Sequence, residues 1–377
     1  MTLAVLHVHA GNMYGGVETI LATLARLPGV APDVEHRFAL CFEGRIADEL
    51  RAAGARVDTL GPTRISRPWT IAHARRRLGA LLAAAGIDVA VCHSTWSQAI
   101  FGPVLRARGT PSVFWLHGVA RGPAWLESWA RRSPPARAIC VSRFAASTLP
   151  RLFGALPYGV VFPPVAPPPP APPERRMAAR LALGSAPEQL VILHASRVEA
   201  GKGLRVLLGA LAELRDDPDW VCWVAGGPQR PVERRLDQSL RQTAFDLGLG
   251  DRVRFLGTRD DLPELLAAAD IFCQPSLEPE GFGIAVVEAL YAGLPVVACP
   301  LGGTAEIVTE ACSISFPPGD QAALAGALRQ LLRDPSARRR LAAAGPARAA
   351  ACCDPGRQVR ALAEELRKAA DAREAAR

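Results

Sequence analysis

Lysine is almost missing from this chain: of 377 residues, only Lys202 and Lys368 carry an ammonium side chain. Asparagine occurs once, at Asn12, and methionine and tyrosine three times each. Arginine supplies nearly all the positive charge, which reads as a compositional bias. Against that bias, a retained lysine marks a position where a compact ammonium is wanted in place of a planar guanidinium. The nine cysteines show no C-x-x-C spacing, and most sit in apolar runs, as Cys92, Cys222 and Cys273 do. That favours buried, reduced thiols over a metal or disulfide framework. No apolar stretch reaches membrane-spanning length. The short apolar N-terminus has no basic start and no cleavage site, so it does not read as a signal peptide, and a cytoplasmic protein is expected.

What is present suggests two domains of ordinary size. Charge is uneven between them. Residues 1–165 hold 18 arginines against 9 acidic residues, and the remainder holds 26 basic against 27 acidic residues. A basic first half attracts phosphorylated substrates, an anionic membrane surface or nucleic acid. The arginines are scattered apart from Arg75, Arg76 and Arg77, and no aromatic-rich basic motif accompanies them, so no nucleic-acid partner is expected.

The first half alternates strand-like and helix-like segments. "TLAVLHVHA" reads as a buried strand, and "ETILATLARL" has helical spacing. "HRFALCF", "DVAVCHS", "SVFWLHG" and "RAICVS" read as further strands. This order implies a parallel sheet covered by helices. Residues 163–173, "PPVAPPPPAPP", favour an extended, stiff spacer and mark a boundary. The alternation then restarts with "QLVILHAS", "WVCWVAGG", "RVRFLG", "DIFCQPS" and "PVVACP". The expected division is an N-terminal domain over 1–165, the proline-rich linker over 163–173, a second domain over 174–350, and a C-terminal helix over 351–377 that packs back on the first domain. Both domains read as doubly wound α/β units, whose ligands sit at the carboxyl ends of strands. Two in series suggest a cleft.

Three motifs carry chemistry. In "HVHAGNMYGGVE", Gly15 and Gly16 open a helix after the first strand, where glycines let backbone approach an anion. The alternative is a plain tight turn. In "SRVEAGKGL", Arg197 and Lys202 bracket a loop at a strand end, an arrangement that suits a diphosphate. The alternative is a surface turn. In "EPEGFGIAVVEALYAG", Glu280 precedes a helix and Glu288 lies within it. The helix N-terminus near Gly283 favours a phosphate, and the carboxylates suit sugar or ribose hydroxyls. Asp217-Pro218-Asp219 spells D-x-D, but between a helix and a strand it reads as a polar turn.

The motifs "GGVE", "RVEAGKG" and "EPEGFGIAVVEAL", in this order, resemble those of family 4 of the retaining glycosyltransferases, the glycosyl transferases group 1. The resemblance covers nearly the whole chain, and the family's E-x7-E motif matches at Glu280 and Glu288. It implies the GT-B fold: two doubly wound, Rossmann-like α/β domains facing across a cleft. It implies a site in which Gly15 and Gly16 bring amides to the donor phosphate or the acceptor, Arg197 and Lys202 hold the diphosphate, and Glu280 contacts the transferred sugar. Glu288 would bind the ribose, and the amides of Phe282, Gly283 and Ile284 would contact sugar or phosphate. His117, in "FWLHG", matches the family's histidine near the reacting sugar, so Glu280, His117, Arg197 and Lys202 form the implied catalytic set. No metal is implied, and no cofactor beyond the nucleotide-diphosphate sugar that serves as donor. Two departures are the missing Asn-Gly at the end of the first domain and the proline-rich linker.

The expected function is a retaining, metal-independent transfer of a sugar from a nucleotide-diphosphate sugar to an acceptor hydroxyl, in glycan, polysaccharide or glycoconjugate biosynthesis. The alternatives are a nucleotide-sugar-binding relative with other chemistry, such as epimerisation, or a non-catalytic module. The acceptor classes open to such an enzyme are a glycan, a lipid-linked sugar and a small molecule, and Asn12 and Tyr14 are placed on the acceptor side of the site. Arg64, Arg67, Trp69, Arg121, Trp125, Trp129, Arg131 and Arg132 are candidates for a peripheral contact with the inner face of the membrane, with packing and ordinary surface as the alternative.

Overall fold

A computed structural model describes residues 2–374 apart from residues 170 and 218. The chain forms two compact units. One holds residues up to Val165 together with those from Cys353 onward, and the other holds Ala166–Cys352.

The first unit is built on seven strands: β1 (Leu3–His9), β2 (Val34–Leu40), β3 (Arg56–Thr59), β4 (Val89–Cys92), β5 (Ser112–Leu116), β6 (Arg137–Cys140) and β7 (Tyr158–Val160). They run parallel in the order β3-β2-β1-β4-β5-β6-β7. The connecting helices are α1 (Gly16–Arg26), α2 (Arg45–Ala52), α3 (Pro68–Ala84), α4 (Thr95–Ala107), α5 (Trp125–Ala130), α6 (Arg143–Thr148) and α7 (Pro150–Phe153). In β1, Val5, Leu6 and Val8 are all fully buried, as expected of a parallel strand covered on both faces. Leu21, Ala22 and Ala25 of α1 pack with Phe38 and Leu40 of β2 on one side of the sheet.

The second unit has strands β8 (Leu190–Ala195), β9 (Trp220–Ala225), β10 (Val253–Gly257), β11 (Ile271–Gln274), β12 (Val296–Ala298) and β13 (Ser313–Ser315). The order is β10-β9-β8-β11-β12-β13, again parallel. Its helices are α8 (Pro173–Ala182), α9 (Leu204–Ala212), α10 (Pro231–Asp246), α11 (Leu262–Ala268), α12 (Ile284–Tyr291), α13 (Gln321–Arg333) and α14 (Pro335–Cys353). The last helix, α15 (Pro355–Glu374), belongs to the first unit and lies against β4 and β5. There Glu365 accepts a hydrogen bond from Arg137 Nε at 2.6 Å and another from Lys368 Nζ at 2.6 Å. One of the two lysines thus has a structural partner within its own helix.

All nine cysteines are buried as thiols. Asp217, from the D-x-D triplet, accepts from Arg329 Nε at 3.0 Å and Arg333 Nε at 2.6 Å. It ties α13 to the start of β9, which is a structural role. Two features of topology position the site. Strand order reverses beside β1 and beside β8, and loops diverge at such switch points to leave a crevice at the strand ends. The loop after β8 also depends on Gly203. Its φ is +72°, and a Cβ there would collide with the carbonyl oxygen of Pro275. Only glycine lets the segment bearing Lys202 approach the end of β11 so closely.

Candidate functional site

In the first unit, β1 ends at His9 and its loop turns at Gly11, which has φ +83°. Gly15 is the N-cap of α1, with extended backbone and no side-chain cap, and Gly16 follows as an exposed first helical residue. Their amides lack intrahelical acceptors by position. Asn12 and Met13 are exposed. Tyr14 is differently employed: its hydroxyl is 3.0 and 2.9 Å from the two carboxylate oxygens of Glu49, and the Arg45 guanidinium sits 3.8 Å from its ring centroid. Burial and the Glu49 carboxylate push the Tyr14 phenol well above its ordinary range, so it donates and does not ionise. Tyr14 therefore fastens the loop to α2. Beside it the last residue of the "GGVE" motif, Glu18, is paired with a histidine at the end of β1. His9 Nε2 donates to Glu18 Oε1 at 2.7 Å, both residues being buried.

His117 follows β5 directly. Its Nε2 lies 3.0 Å from His93 Nδ1, its ring stacks on Trp115 at 5.1 Å, and its Nδ1 is buried with no hydrogen-bond partner among the described residues. Burial pushes its pKa down to about 3, so the ring is neutral.

In the second unit, the structure brings Lys202 and Glu280 together. Lys202 ends a single 3-10 turn after β8, and its Nζ is 3.0 Å from Glu280 Oε2. The other carboxylate oxygen, Oε1, accepts from Gln274 Nε2 at 2.7 Å and from the Ser276 hydroxyl. Burial alone would raise the Glu280 pKa, but the Lys202 charge and these hydrogen bonds outweigh it and hold the group below the ordinary carboxylate range. Glu280 is a fixed anion. Gln274 and Ser276 complete the polar surroundings of Glu280, and the sequence motifs do not include them. The available signal was a glutamine closing the otherwise apolar strand "IFCQ".

Arg197 does not join that cluster. Its Nη2 is 2.9 Å from Glu199 Oε1, which also meets Arg230 Nη2 at 2.9 Å. Nearby, His194 Nδ1 donates to the Cys273 carbonyl at 2.9 Å, which leaves its Nε2 to accept from Ser196 Oγ at 2.7 Å. Behind Glu280 the chain turns through Phe282 and Gly283 into α12. Gly283 is its left-handed N-cap, and a Cβ there would sit 2.8 Å from Thr304 Oγ1. The first amides of α12, beginning with Ile284, are the helix's positive end. Among the described residues, no grouping of three or more His, Cys, Asp or Glu side chains is disposed to hold a metal ion.

Glu288 lies further along α12, and its carboxyl has no hydrogen-bond or ion-pair partner among the described residues. Burial pushes its pKa up to about 7. A carboxyl raised on folding gives stability below its unfolded pKa, and this is lost as pH rises through the folded value. Glu288→Gln is therefore expected to raise the Tm by about 3–6 °C at pH 8, on the order of 1–2 kcal/mol after allowing for residual solvent access. The gain should vanish near pH 4.5, and thermal melts across that range check it. A lower Tm at pH 8 would mean that the carboxylate is compensated.

Residues 14–167 match the family described as Glycosyltransferase Family 4, and residues 177–348 match Glycosyl transferases group 1. The chain is 32% identical over 347 residues to D-inositol 3-phosphate glycosyltransferase 1 of Catenulispora acidiphila, covering 85% of this chain and 79% of that protein. It is 34% identical over 215 residues to a D-inositol 3-phosphate glycosyltransferase of Streptomyces bingchenggensis, covering 54% of this chain and 47% of the relative. A phosphatidyl-myo-inositol mannosyltransferase of Mycobacterium leprae is 39% identical over 150 residues, which are 39% of this chain and 38% of that one. For these last two relatives the match spans less than half their length. Among solved structures, Anabaena Alr3699/HepE in complex with UDP and glucose superposes with a TM-score of 0.86 at 23% identity, over 97% of this chain and 100% of that one. The glycosyltransferase WaaG, involved in lipopolysaccharide biosynthesis, gives a TM-score of 0.74 at 18% identity, over 96% and 99% of the two chains. These likenesses establish the GT-B fold.

Proposed function

Since this chain belongs to the family 4, group 1 glycosyltransferases, we propose that it moves a sugar from a nucleoside-diphosphate donor to an acceptor hydroxyl with retention of anomeric configuration. The observation that carries the reading is the Lys202–Glu280 pair at the carboxyl ends of β8 and β11, beside the N-terminus of α12. Lys202 and Arg197 supply positive charge for the leaving diphosphate, and the amides of Phe282, Gly283 and Ile284 add to it. The amides of Gly15 and Gly16 offer a further phosphate contact. Glu280 receives hydroxyls of the transferred sugar, and Glu288 those of the ribose.

Glu280 is poorly suited to attack an anomeric carbon. Three donors already occupy its two oxygens and lower its basicity. We therefore read the transfer as same-face attack. The acceptor O–H bond breaks, the glycosidic C–O bond forms, and the C–O bond to the diphosphate breaks with the proton passing to the departing phosphate. No step of this reading requires a metal.

The acceptor side is assigned to the first unit, with Asn12 exposed on the loop and Tyr14 holding that loop in place. The relatives' names suggest an inositol phosphate, and a unit rich in arginine suits a phosphorylated polyol. Incubation with UDP- and GDP-sugars and D-inositol 3-phosphate, followed by NMR of the product, tests this. Transfer with the donor's anomeric configuration supports it, and an inverted product or no nucleotide release with any donor counts against it. Trp69 and Trp125 are 67% and 62% exposed. Amphipathic rings among arginines support a peripheral membrane contact. Co-sedimentation with anionic but not neutral vesicles is expected, and equal recovery with both would oppose it. Among the described residues, no helix is long and apolar enough to cross a membrane.

A further inference from the structure

Four imidazoles, two on β1 and β2 and two directly after the neighbouring β4 and β5, form one unbroken line. His36 on β2 meets His7 on β1, Nδ1 to Nε2, at 2.8 Å. His7 Nδ1 meets His93 Nε2, just past β4, at 2.8 Å. His93 Nδ1 meets His117 Nε2, just past β5, at 3.0 Å. Phe38 stacks on His7 at 5.2 Å, and Trp115 lies 5.4 Å from His93 and stacks on His117 at 5.1 Å, so aromatic rings pack against the line. His9 comes within 6.0 Å of His93 but spends its Nε2 on Glu18 and stays outside the line.

We propose that His36, His7 and His93 act as positioning residues that set which nitrogen of His117 carries its proton. Counting hydrogens limits the possibilities. Each contact joins nitrogen to nitrogen and needs one hydrogen between them. A neutral imidazole has one N–H and one lone pair. Burial keeps all four rings neutral, pushing His36 to about 4 and His117 to about 3 and His7 and His93 well below the ordinary range. Once one ring chooses its tautomer, the other three must follow. Only two arrangements exist. In the first, His117 holds its proton on Nε2 and donates to His93, and the polarity runs on until His36 presents Nε2–H outward. In the second, every ring is reversed and His117 carries its proton on Nδ1.

The ends decide between them. His117 Nδ1 is buried and has no hydrogen-bond partner among the described residues. An orphaned N–H is rarer in folded proteins than an under-used acceptor. His36 is half-buried and keeps some solvent contact, so its Nε2–H can donate to water. Both ends select the first arrangement. His117 thus carries its proton on Nε2 and leaves Nδ1 as a bare lone pair. Moving to the second arrangement shifts one proton across each of three bonds, releases one proton from His36 to water and takes one up at His117 Nδ1, with no change in net charge.

The catalytic consequence rests on the placing of His117 near the reacting sugar, which the resemblance to the family implies; the tautomer line itself does not. The test uses full-length protein labelled with 15N at histidine, with the His117 nitrogens read as pyrrole-like or pyridine-like. In the wild type His117 is expected to carry its proton on Nε2. His36→Glu, an acceptor only, should preserve that tautomer. His36→Lys, a donor only, should reverse it, and its kcat/KM should be about tenfold below that of His36→Glu. Position 36 is half-buried, and circular dichroism checks that both variants fold. A buried cut in the line, His7→Phe, should make His117 indifferent to residue 36. The same His117 tautomer in the His36→Glu and His36→Lys proteins overturns the proposal. A tautomer that follows residue 36 while turnover does not would support the line and count against His117 at the sugar.

Discussion

Lys202→Ala is expected to lower kcat/KM for the nucleotide sugar by about 10²–10³-fold, the usual effect of deleting one preorganised donor at a developing negative charge. Two losses combine. The departing diphosphate loses a compact cation, and Glu280 loses the partner 3.0 Å from its Oε2. Burial then governs the Glu280 carboxyl and raises its pKa, so a group that is now a fixed anion becomes partly protonated near neutral pH. The sign follows. Glu280, held low in the wild type, contributes stability above its unfolded pKa and loses it only as pH falls through its lower folded value. In the variant that contribution disappears at neutral pH as well. Lys202→Arg should recover little activity, because a planar fork does not replace a compact ammonium beside Gly203. Steady-state kinetics on protein shown to be folded by circular dichroism checks both variants. Wild-type kcat/KM in Lys202→Ala would remove the lysine from the site.

Glu280→Gln should lower kcat by about 10²-fold while changing nucleoside-diphosphate affinity far less, since the residue is assigned to the sugar and not to the nucleotide. The substitution keeps the shape but points an amide N–H₂ at the ammonium of Lys202. Gln274 and Ser276 keep an acceptor only if the new amide turns that donor toward Lys202. The pair should also be coupled. Lys202→Ala with Glu280→Ala is expected to cost less than the sum of the two single changes, because each single change strands the other charge. Strict additivity would mean that the contact carries no function. A large loss of nucleotide affinity in Glu280→Gln would move the residue from the sugar to the diphosphate.

Much of this arrangement was legible in the chain because it is local. The strand-loop-helix of β1 and α1, the Arg197–Lys202 loop and the Glu280–Glu288 spacing lie in short segments whose periodicity and glycines declare the turn. The rarity of lysine separated Lys202 from the background, and the structure gives the other lysine, Lys368, to Glu365 within α15. What was not legible depends on strand order. His7 and His93 are 86 residues apart, and they meet only because β1 and β4 are neighbours. The period-two placement of His7 and His9 in "HVH" showed polar residues in a buried strand, but not their partners. Tyr14 is similar. It stands in a glycine-rich loop whose sequence shows no partner, and that partner, Glu49, lies on α2, 35 residues on. Gln274 and Ser276 were hidden for a different reason: only the backbone turn after β11 folds them back onto Glu280.

Every catalytic role proposed above presupposes that the second unit binds a nucleoside diphosphate through Lys202, Arg197 and Glu288. Calorimetric titration of UDP and GDP into the wild type, Lys202→Ala and Glu288→Ala decides the matter. One of the two nucleotides should bind the wild type with a Kd in the micromolar range, about 8 kcal/mol of binding free energy. Each variant should weaken that binding at least tenfold. Wild-type affinity should also fall as pH drops below about 7, where Glu288 takes up a proton. Binding of equal strength in all three proteins, or no binding of either nucleotide to the wild type, would contradict it.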